Sequence, residues 1–365
     1  MAEKIVVITG PTATGKTRLS VELAKKFGGE IVSADSMQIY RGMDIGTAKV
    51  THTEMQGVTH HMIDIADPTE VYSVSRYVED ANKAVQDILA RGRLPIIAGG
   101  TNLYIDSLIS GLDFAERAED NALRERLNAQ YDELGGEAMI ATLRGFDPER
   151  AAKLHPADKR RIVRAIEIYT LTGETITEHD EKTRKRPKKY DAVKIALSFA
   201  DRAMLYDRIN ERVDKMVADG LFDEVKGLLD SGLSPDSTAM QAIGYKEPAA
   251  YFAGEITKDE AIELIKLSSR RYAKRQLTWL GGGEKGQRER ITKRSNGTCG
   301  RPRPILMKRD GFRPNICTRV VYDALVPARD NLHKQEHERC KRHRIFRTHS
   351  SISFAARRSI SRCFS

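Results

Sequence analysis

The run Gly10-Pro11-Thr12-Ala13-Thr14-Gly15-Lys16-Thr17 satisfies G-x-x-x-x-G-K-[ST], and it stands where that pattern has a physical meaning. The strand-like Lys4-Ile5-Val6-Val7-Ile8-Thr9 precedes it, and helical spacing continues from Thr17 to Phe27. A glycine-bounded loop between a strand and a helix lets successive backbone N–H groups and the helix N-terminus converge on one anion. Lys16 adds a positive charge, and the Thr17 hydroxyl is placed to hold Mg²⁺. All eight residues are candidate diphosphate or nucleotide ligands. A Gly/Thr-rich turn with a helix cap is the bland alternative, and the flanking elements disfavour it.

A loop of this kind belongs to an α/β architecture, and the surrounding text agrees. Glu30-Ile31-Val32-Ser33 and Leu94-Pro95-Ile96-Ile97-Ala98 read as further strands; the second ends in Gly99-Gly100-Thr101 and opens a helix to about Ser110. Alternating strands and helices assemble into a parallel sheet flanked by helices. Between residues 113 and 190 the text becomes charged and helix-periodic, ending in the basic, proline-broken Lys182 to Lys189. Residues 192–199 alternate as a strand, and helices are expected near 202–219, 221–231 and 258–279. The expected organisation is a P-loop core at 1–112 and 191–280, a helical insertion at 113–190, and a different kind of segment at 281–365. No run of eighteen apolar residues and no secretory signal appears, so no membrane partner and a cytoplasmic address are expected.

The formal charge of +10 resembles a nucleic-acid signature until it is located. Residues 281–365 hold 21 of the 61 Lys and Arg but only 7 of the 51 Asp and Glu, a net +14, so residues 1–280 carry a net −4. Cys299, Cys317, Cys340 and Cys363 are the only cysteines, and all lie beyond Leu280. A disulfide framework or a cysteine nucleophile in the body is thereby excluded. Any contact with a polyanion must rest on local basic clusters.

A P-loop alone names no reaction. The strand at 94–98 does not end in the metal-holding Asp that often accompanies the motif. The strand near 31–33 instead leads into Asp35, a carboxylate beyond the carboxyl end of a sheet strand, where open α/β sheets bind their ligands. His60-His61 near Asp64 invites a metal site, but adjacent histidines diverge and no third ligand stands at useful spacing.

The P-loop together with Ser33-Ala34-Asp35-Ser36-Met37-Gln38-Ile39-Tyr40-Arg41-Gly42-Met43-Asp44-Ile45-Gly46-Thr47-Ala48-Lys49 closely resembles the tRNA dimethylallyltransferase family. Gly99-Gly100-Thr101-Asn102-Leu103-Tyr104, Asp158 to Ala165, Ile209-Asn210-Glu211-Arg212, Ala242 to Glu247 and Arg271 to Trp279 match it in order. The resemblance covers residues 4 to 280. It implies that the P-loop grips the diphosphate of dimethylallyl diphosphate rather than ATP, and that the acceptor is N6 of the adenosine 3′ to the anticodon, position 37. Asp35 matches the family's general base and Thr101 a residue that holds the adenosine. Lys16, Mg²⁺ on Thr17, the loop amides and Arg212 would stabilise the leaving diphosphate.

The acceptor base must leave its stack, and Ser36, Met37 and Gln38, beside Asp35, are the expected readers around it. The grip on the tRNA anticodon stem-loop is expected from the segment Lys159, Arg160, Arg161, Ile162, Val163, Arg164, with Arg124 adding a contact. A monomer is expected. Blander readings stand beside these: Asp35 as a turn or cap residue, Thr101 as an N-cap, the arginines as a solvated face. Rival functions are prenylation of free adenine nucleotides, a small-molecule kinase, and an RNA-binding module with a vestigial P-loop.

Past Leu280 the resemblance to bacterial members ends. Some eukaryotic members append a zinc finger, but the cysteines here form no C-x-x-C, and His333, His337, Cys340 and His343 give no paired C₂H₂ spacing with Cys317. The compositional break suggests a shifted reading frame that would replace the family's last element. A disordered, basic segment that binds RNA without specificity is the expectation.

Overall fold

A computed structural model describes residues 3–111, 120–185, 189–199, 201–282 and 303–308. The first half of the core runs β1 (Glu3–Thr9), α1 (Lys16–Phe27), β2 (Gly29–Ala34), α2 (His52–Met55), β3 (His60–His61), α3 (Val74–Ala90), β4 (Leu94–Gly99) and α4 (Asn102–Ser110). Next come α5 (Asn121–Arg144), α6 (Pro148–Ala151), α7 (Lys159–Thr172) and α8 (Ile176–Lys185). The chain continues through β5 (Tyr190–Ser198), α9 (Arg202–Ala218), α10 (Leu221–Asp230), α11 (Lys246–Phe252), α12 (Lys258–Gly282) and β6 (Arg303–Lys308). Two compact units result, one built from residues up to Ile105 and from Asp191 onward, the other spanning Asp106–Tyr190.

In the first unit the sheet order is β3-β2-β4-β1-β5-β6. The first five strands are parallel, as the alternation of strands and helices predicts. Both faces of such a sheet are covered, so its strands are continuously apolar. Ile5, Val7, Ile8, Ile96 and Ile97 are accordingly inaccessible to solvent. The register of the central strands places two polar residues together. Ser33 lies opposite Ala98 and Ala34 opposite Gly99, so β2 and β4 end side by side and release Asp35 and Thr101 at the same edge. Gly99 is required there, because a Cβ would overlap the Ala34 backbone.

α2, α3, β3, α11 and β6 go beyond what the sequence pattern predicts. α3 has an amphipathic stripe through Tyr77, Ala81, Val85 and Ile88 and is capped by Ser73, whose hydroxyl accepts from Arg76 N at 3.2 Å. β6 pairs antiparallel with β5, Ala196 opposite Ile305, inside the segment expected to be disordered. The short run Pro304-Ile305-Leu306-Met307 is too brief, between arginines and a lysine, to stand out as a strand. The expectation for the remainder of 281–365 lies outside the described residues, as do all four cysteines. α12 also runs on to Gly282, past the expected stop. Among the described residues no helix is long and apolar enough to cross a membrane.

The second unit is helical. Leu123, Leu127, Met139, Leu143, Ile162 and Ile166 form one apolar cluster between α5 and α7.

At the start of β2, at the opposite end of the strand from Asp35, Glu30 is 1% exposed and accepts from Arg91, from Arg93 at 2.8 Å and meets His61 Nε2 at 2.7 Å. The Arg91 hydrogen bond does most to pull its carboxyl from 4.5 down to about 2. A carboxyl depressed on folding stabilises the fold above its unfolded pKa, and that contribution is lost as pH falls from 4.5 toward 2. Glu30→Gln should therefore cost about 2 kcal/mol at neutral pH, below the roughly 3–5 of a fully buried pair because Arg91 and Arg93 reach solvent. Denaturant melts at pH 7 and pH 3 check this: the gap between variant and parent should shrink at pH 3.

Candidate active site

The loop between β1 and α1 has the shape its sequence demands. Gly10 has φ +144°, and a Cβ there would overlap the Leu197 carbonyl, so only glycine fits. Ala13 is held at φ +62°, unusual for a residue with a side chain and typical of strain stored at a site. The buried Thr14 hydroxyl donates to Pro11 O at 2.8 Å and ties the loop to itself. Thr14 can therefore offer an anion only its backbone N–H.

Lys16 Nζ donates to Gly10 O at 3.0 Å and Pro11 O at 2.8 Å. An ammonium carries three donors, so one remains for a ligand. Burial, then the neighbouring Arg212, pull its pKa from 10.5 down to about 8, against the opposing pull of Asp35. Arg212 on α9 reaches Thr12 Oγ1 at 3.4 Å, and burial lowers its pKa too, again with Asp35 opposing. One turn earlier Arg208 Nε donates to Ala13 O at 3.2 Å. The cationic rim thus has two arginines at i,i+4 spacing where the sequence motif points to one. Thr17 lies exposed at the start of α1.

Thr101 bonds the residues on either side of Asp35, as the register of β2 and β4 requires. Thr101 N donates to Ala34 O at 3.1 Å, and Thr101 Oγ1 accepts from Ser36 N at 3.1 Å. The Thr101 hydroxyl therefore joins the two strand ends. Asp35 Oδ1 accepts from Met37 N at 3.0 Å, so Asp35 does serve as a turn residue. It engages one oxygen only: Oδ2 has no protein partner among the described residues. The Asp35 charge acts on Lys16 and Arg212, and also helps raise the phenols of Tyr77, Tyr104 and Tyr272, for each of which burial is the main cause.

The loop after Asp35 is pinned from a distance. Glu224 on α10 accepts from Asp44 N at 2.9 Å, Ile45 N at 2.7 Å, Gly46 N at 3.1 Å and Tyr245 Oη at 2.6 Å. Gln38 Nε2 donates within this loop to Thr47 O and Ala48 O at 3.2 and 3.3 Å. Its amide nitrogen braces the loop. Ser36 and Met37 are half-buried beside Asp35.

In the helical unit the expected RNA-gripping run divides into three. Ile162 and Val163 are 0% and 4% exposed in the apolar cluster, where their side chains fix α7. Lys159 is paired with Asp132 at 2.6 Å, and Arg124 and Arg164 both bond the fully buried Glu167, at 3.0 and 2.8 Å. Arg160 and Arg161 are exposed and carry no ion pair among the described residues. His60 Nδ1 lies 2.9 Å from Val58 O and His61 on Glu30, and no group of three potential metal ligands exists among the described residues.

Two residues of the Arg271 to Trp279 motif, both on α12, gain a role only in the structure. Gln276 is 4% exposed; its Oε1 accepts from Thr12 N at 3.0 Å and its Nε2 donates to Gly100 O at 2.9 Å. Tyr272, one turn before, places its phenol beside Thr101 and Gln276, which partly offset the rise that burial gives its pKa.

Comparison with known proteins places the chain in a family. The family model described as IPP transferase matches residues 38–283. A protein named tRNA dimethylallyltransferase from Thermoanaerobacter sp. (strain X514) is 49% identical over 283 residues, 77% of this chain and 90% of the relative. Its namesake from Geobacillus thermodenitrificans is 53% identical over 280 residues, 77% of this chain and 88% of that one. The crystal structure of the full-length tRNA isopentenylpyrophosphate transferase from Bacillus halodurans aligns at TM-score 0.56 and 46% identity over 78% of this chain and 88% of the other. A eukaryotic dimethylallyltransferase acting on tRNA aligns at TM-score 0.64 and 32% identity over 76% and 70%. With the matched region running from the turn after Asp35 to the end of α12, this chain belongs to the IPP transferase family.

Proposed function

We propose that this chain transfers the dimethylallyl group of dimethylallyl diphosphate to N6 of the adenosine 3′ to the anticodon, position 37, of tRNA, giving N6-isopentenyladenosine. The observation that carries the reading is geometric: Arg212 and Gln276 both reach Thr12 of the P-loop, Gln276 also bonds Gly100, and the next residue, Thr101, bonds Ser36 beside Asp35. The loop amides, Lys16 and Arg212 hold the diphosphate. Thr101 and Asp35 hold the adenine edge. The N6 lone pair forms the new bond to the allylic C1 as the C1–O bond breaks, and its electron pair leaves with the diphosphate. Lys16, Arg212 and the amides stabilise that charge as it grows. The N6 proton passes to the unpartnered Oδ2 of Asp35, so no covalent enzyme intermediate is needed.

The donor set suits Mg²⁺: the exposed Thr17 hydroxyl is a hard oxygen ligand that would hold it. When bound, it supplies further neutralisation of the leaving group. Exposed Arg160 and Arg161 are the basic side chains on α7 best suited to tRNA phosphates.

The relatives' names favour tRNA over the rival acceptors. A single assay tests the choice. Radiolabelled dimethylallyl diphosphate and Mg²⁺ are supplied with tRNA, with an A37-substituted tRNA, or with AMP. Label should enter only the A37-bearing tRNA, and ATP should yield no phosphoryl transfer. Label in AMP, or label that ignores position 37, overturns the reading.

A further inference from the structure

We infer that Gln276, with Tyr272 beside it, is a positioning strut that sets the distance between the diphosphate cradle and the acceptor-holding strand end. The inference rests on the proposed prenyl transfer and adds to it a residue that touches neither substrate.

Gln276 is a buried amide whose two polar ends bind two different loops. One end accepts the Thr12 N–H, an amide of the P-loop, and the other donates to the Gly100 carbonyl, adjacent to Thr101. The first contact spans 264 positions in sequence and the second 176. A buried amide with both ends satisfied is orientationally fixed, because turning it over would set donor against donor and acceptor against acceptor. Gly100 completes the fit, since a Cβ there would overlap Gln276 Nε2. Tyr272 lies on the same face of α12, i to i+4, with its phenol beside both Thr101 and Gln276. One helical face thus holds the loop that binds the leaving group and the strand end that holds the nucleophile. In-line displacement is sensitive to that separation: a misplacement of about 1 Å can cost on the order of 10²-fold in rate.

The test uses the full chain with dimethylallyl diphosphate and tRNA. Gln276→Met fills the same volume but bonds neither loop. It should lower kcat about 10- to 30-fold, with both KM values changed less than about threefold, because alignment is lost and binding is not. Gln276→Glu supplies an internal control. A protonated carboxyl reproduces both bonds, its O–H donating to Gly100 O and its C=O accepting from Thr12 N–H, whereas a carboxylate repels Gly100 O. Its kcat relative to the parent should therefore fall as pH rises, while the Gln276→Met ratio stays flat. This comparison is made within one folded protein, so it holds even if Gln276→Met folds poorly. Amide exchange of the P-loop peptide, followed by mass spectrometry, should speed up at Thr12 in Gln276→Met.

A Gln276→Glu ratio independent of pH overturns the strut, and so does unchanged Thr12 exchange in Gln276→Met. A loss confined to one KM overturns it also and makes Gln276 a binding contact. Should the parent enzyme not prenylate tRNA at all, the function is wrong, and the Thr12 exchange measurement still decides whether the strut exists.

Discussion

Asp35→Asn is expected to lower kcat for prenyl transfer about 10²- to 10⁴-fold, the range for a lost general base, while the affinity for the anticodon stem-loop stays within about threefold. Asparagine is the informative replacement. Asp35 Oδ1 accepts from Met37 N, and an amide oxygen does so equally well, so the turn survives the substitution. A residue that only shaped the turn would leave the Asn variant close to the parent. A base cannot survive it, because the amide takes no proton from N6 at any working pH. Asp35→Ala removes both roles and should lose turnover similarly. There is a second readout. The Asp35 charge holds the Lys16 pKa up, so in Asp35→Asn the alkaline limb of diphosphate binding should move to lower pH. Stopped-assay turnover and stem-loop binding measured side by side decide the matter. Unchanged turnover removes Asp35 as the base; lost stem-loop affinity makes it a binding residue.

What could be read from the sequence was local, and what escaped it was distant. The P-loop is legible because glycines, lysine and threonine act within eight neighbouring residues, between a strand and a helix that carry their own signals. Asp35 and Thr101 are legible individually as residues at strand ends, but their adjacency depends on β2 lying beside β4, which no local pattern states. Gln276 and Glu224 act across 264 and 178 positions, and nothing in their neighbourhoods separates a buried amide or carboxylate from a solvated one. The basic run on α7 shows the same limit. Charge spacing puts its arginines on the surface, yet Lys159 and Arg164 are engaged by Asp132 and the buried Glu167, and only contacts between helices reveal it. β6 and the expectation of disorder conflict for a similar reason: a strand of six residues is stabilised by its pairing with β5, not by its own composition.

Lys16→Met should lower kcat/KM for dimethylallyl diphosphate about 10³-fold, at the upper end for removal of one preorganised donor, because here a full charge is lost as well. The pH dependence discriminates this from a packing effect. Burial and Arg212 bring the Lys16 pKa down to about 8 in the free protein. The ammonium is the binding form, so affinity for inorganic pyrophosphate should be level below pH 8 and fall up to about tenfold per pH unit above it. A bound anion raises the same pKa, so saturating substrate should move the limb upward in kcat relative to kcat/KM, which reports the free enzyme. Pyrophosphate itself ionises over this range, and Lys16→Arg removes that ambiguity. Guanidinium stays charged throughout, so the ratio of parent to Arg variant isolates the lysine. Calorimetric titrations at pH 7 and pH 9.5 check the expectation. A ratio that does not change between them would mean that the ammonium is not the group that meets the diphosphate, and the assignment of leaving-group stabilisation would pass to Arg212 and the loop amides.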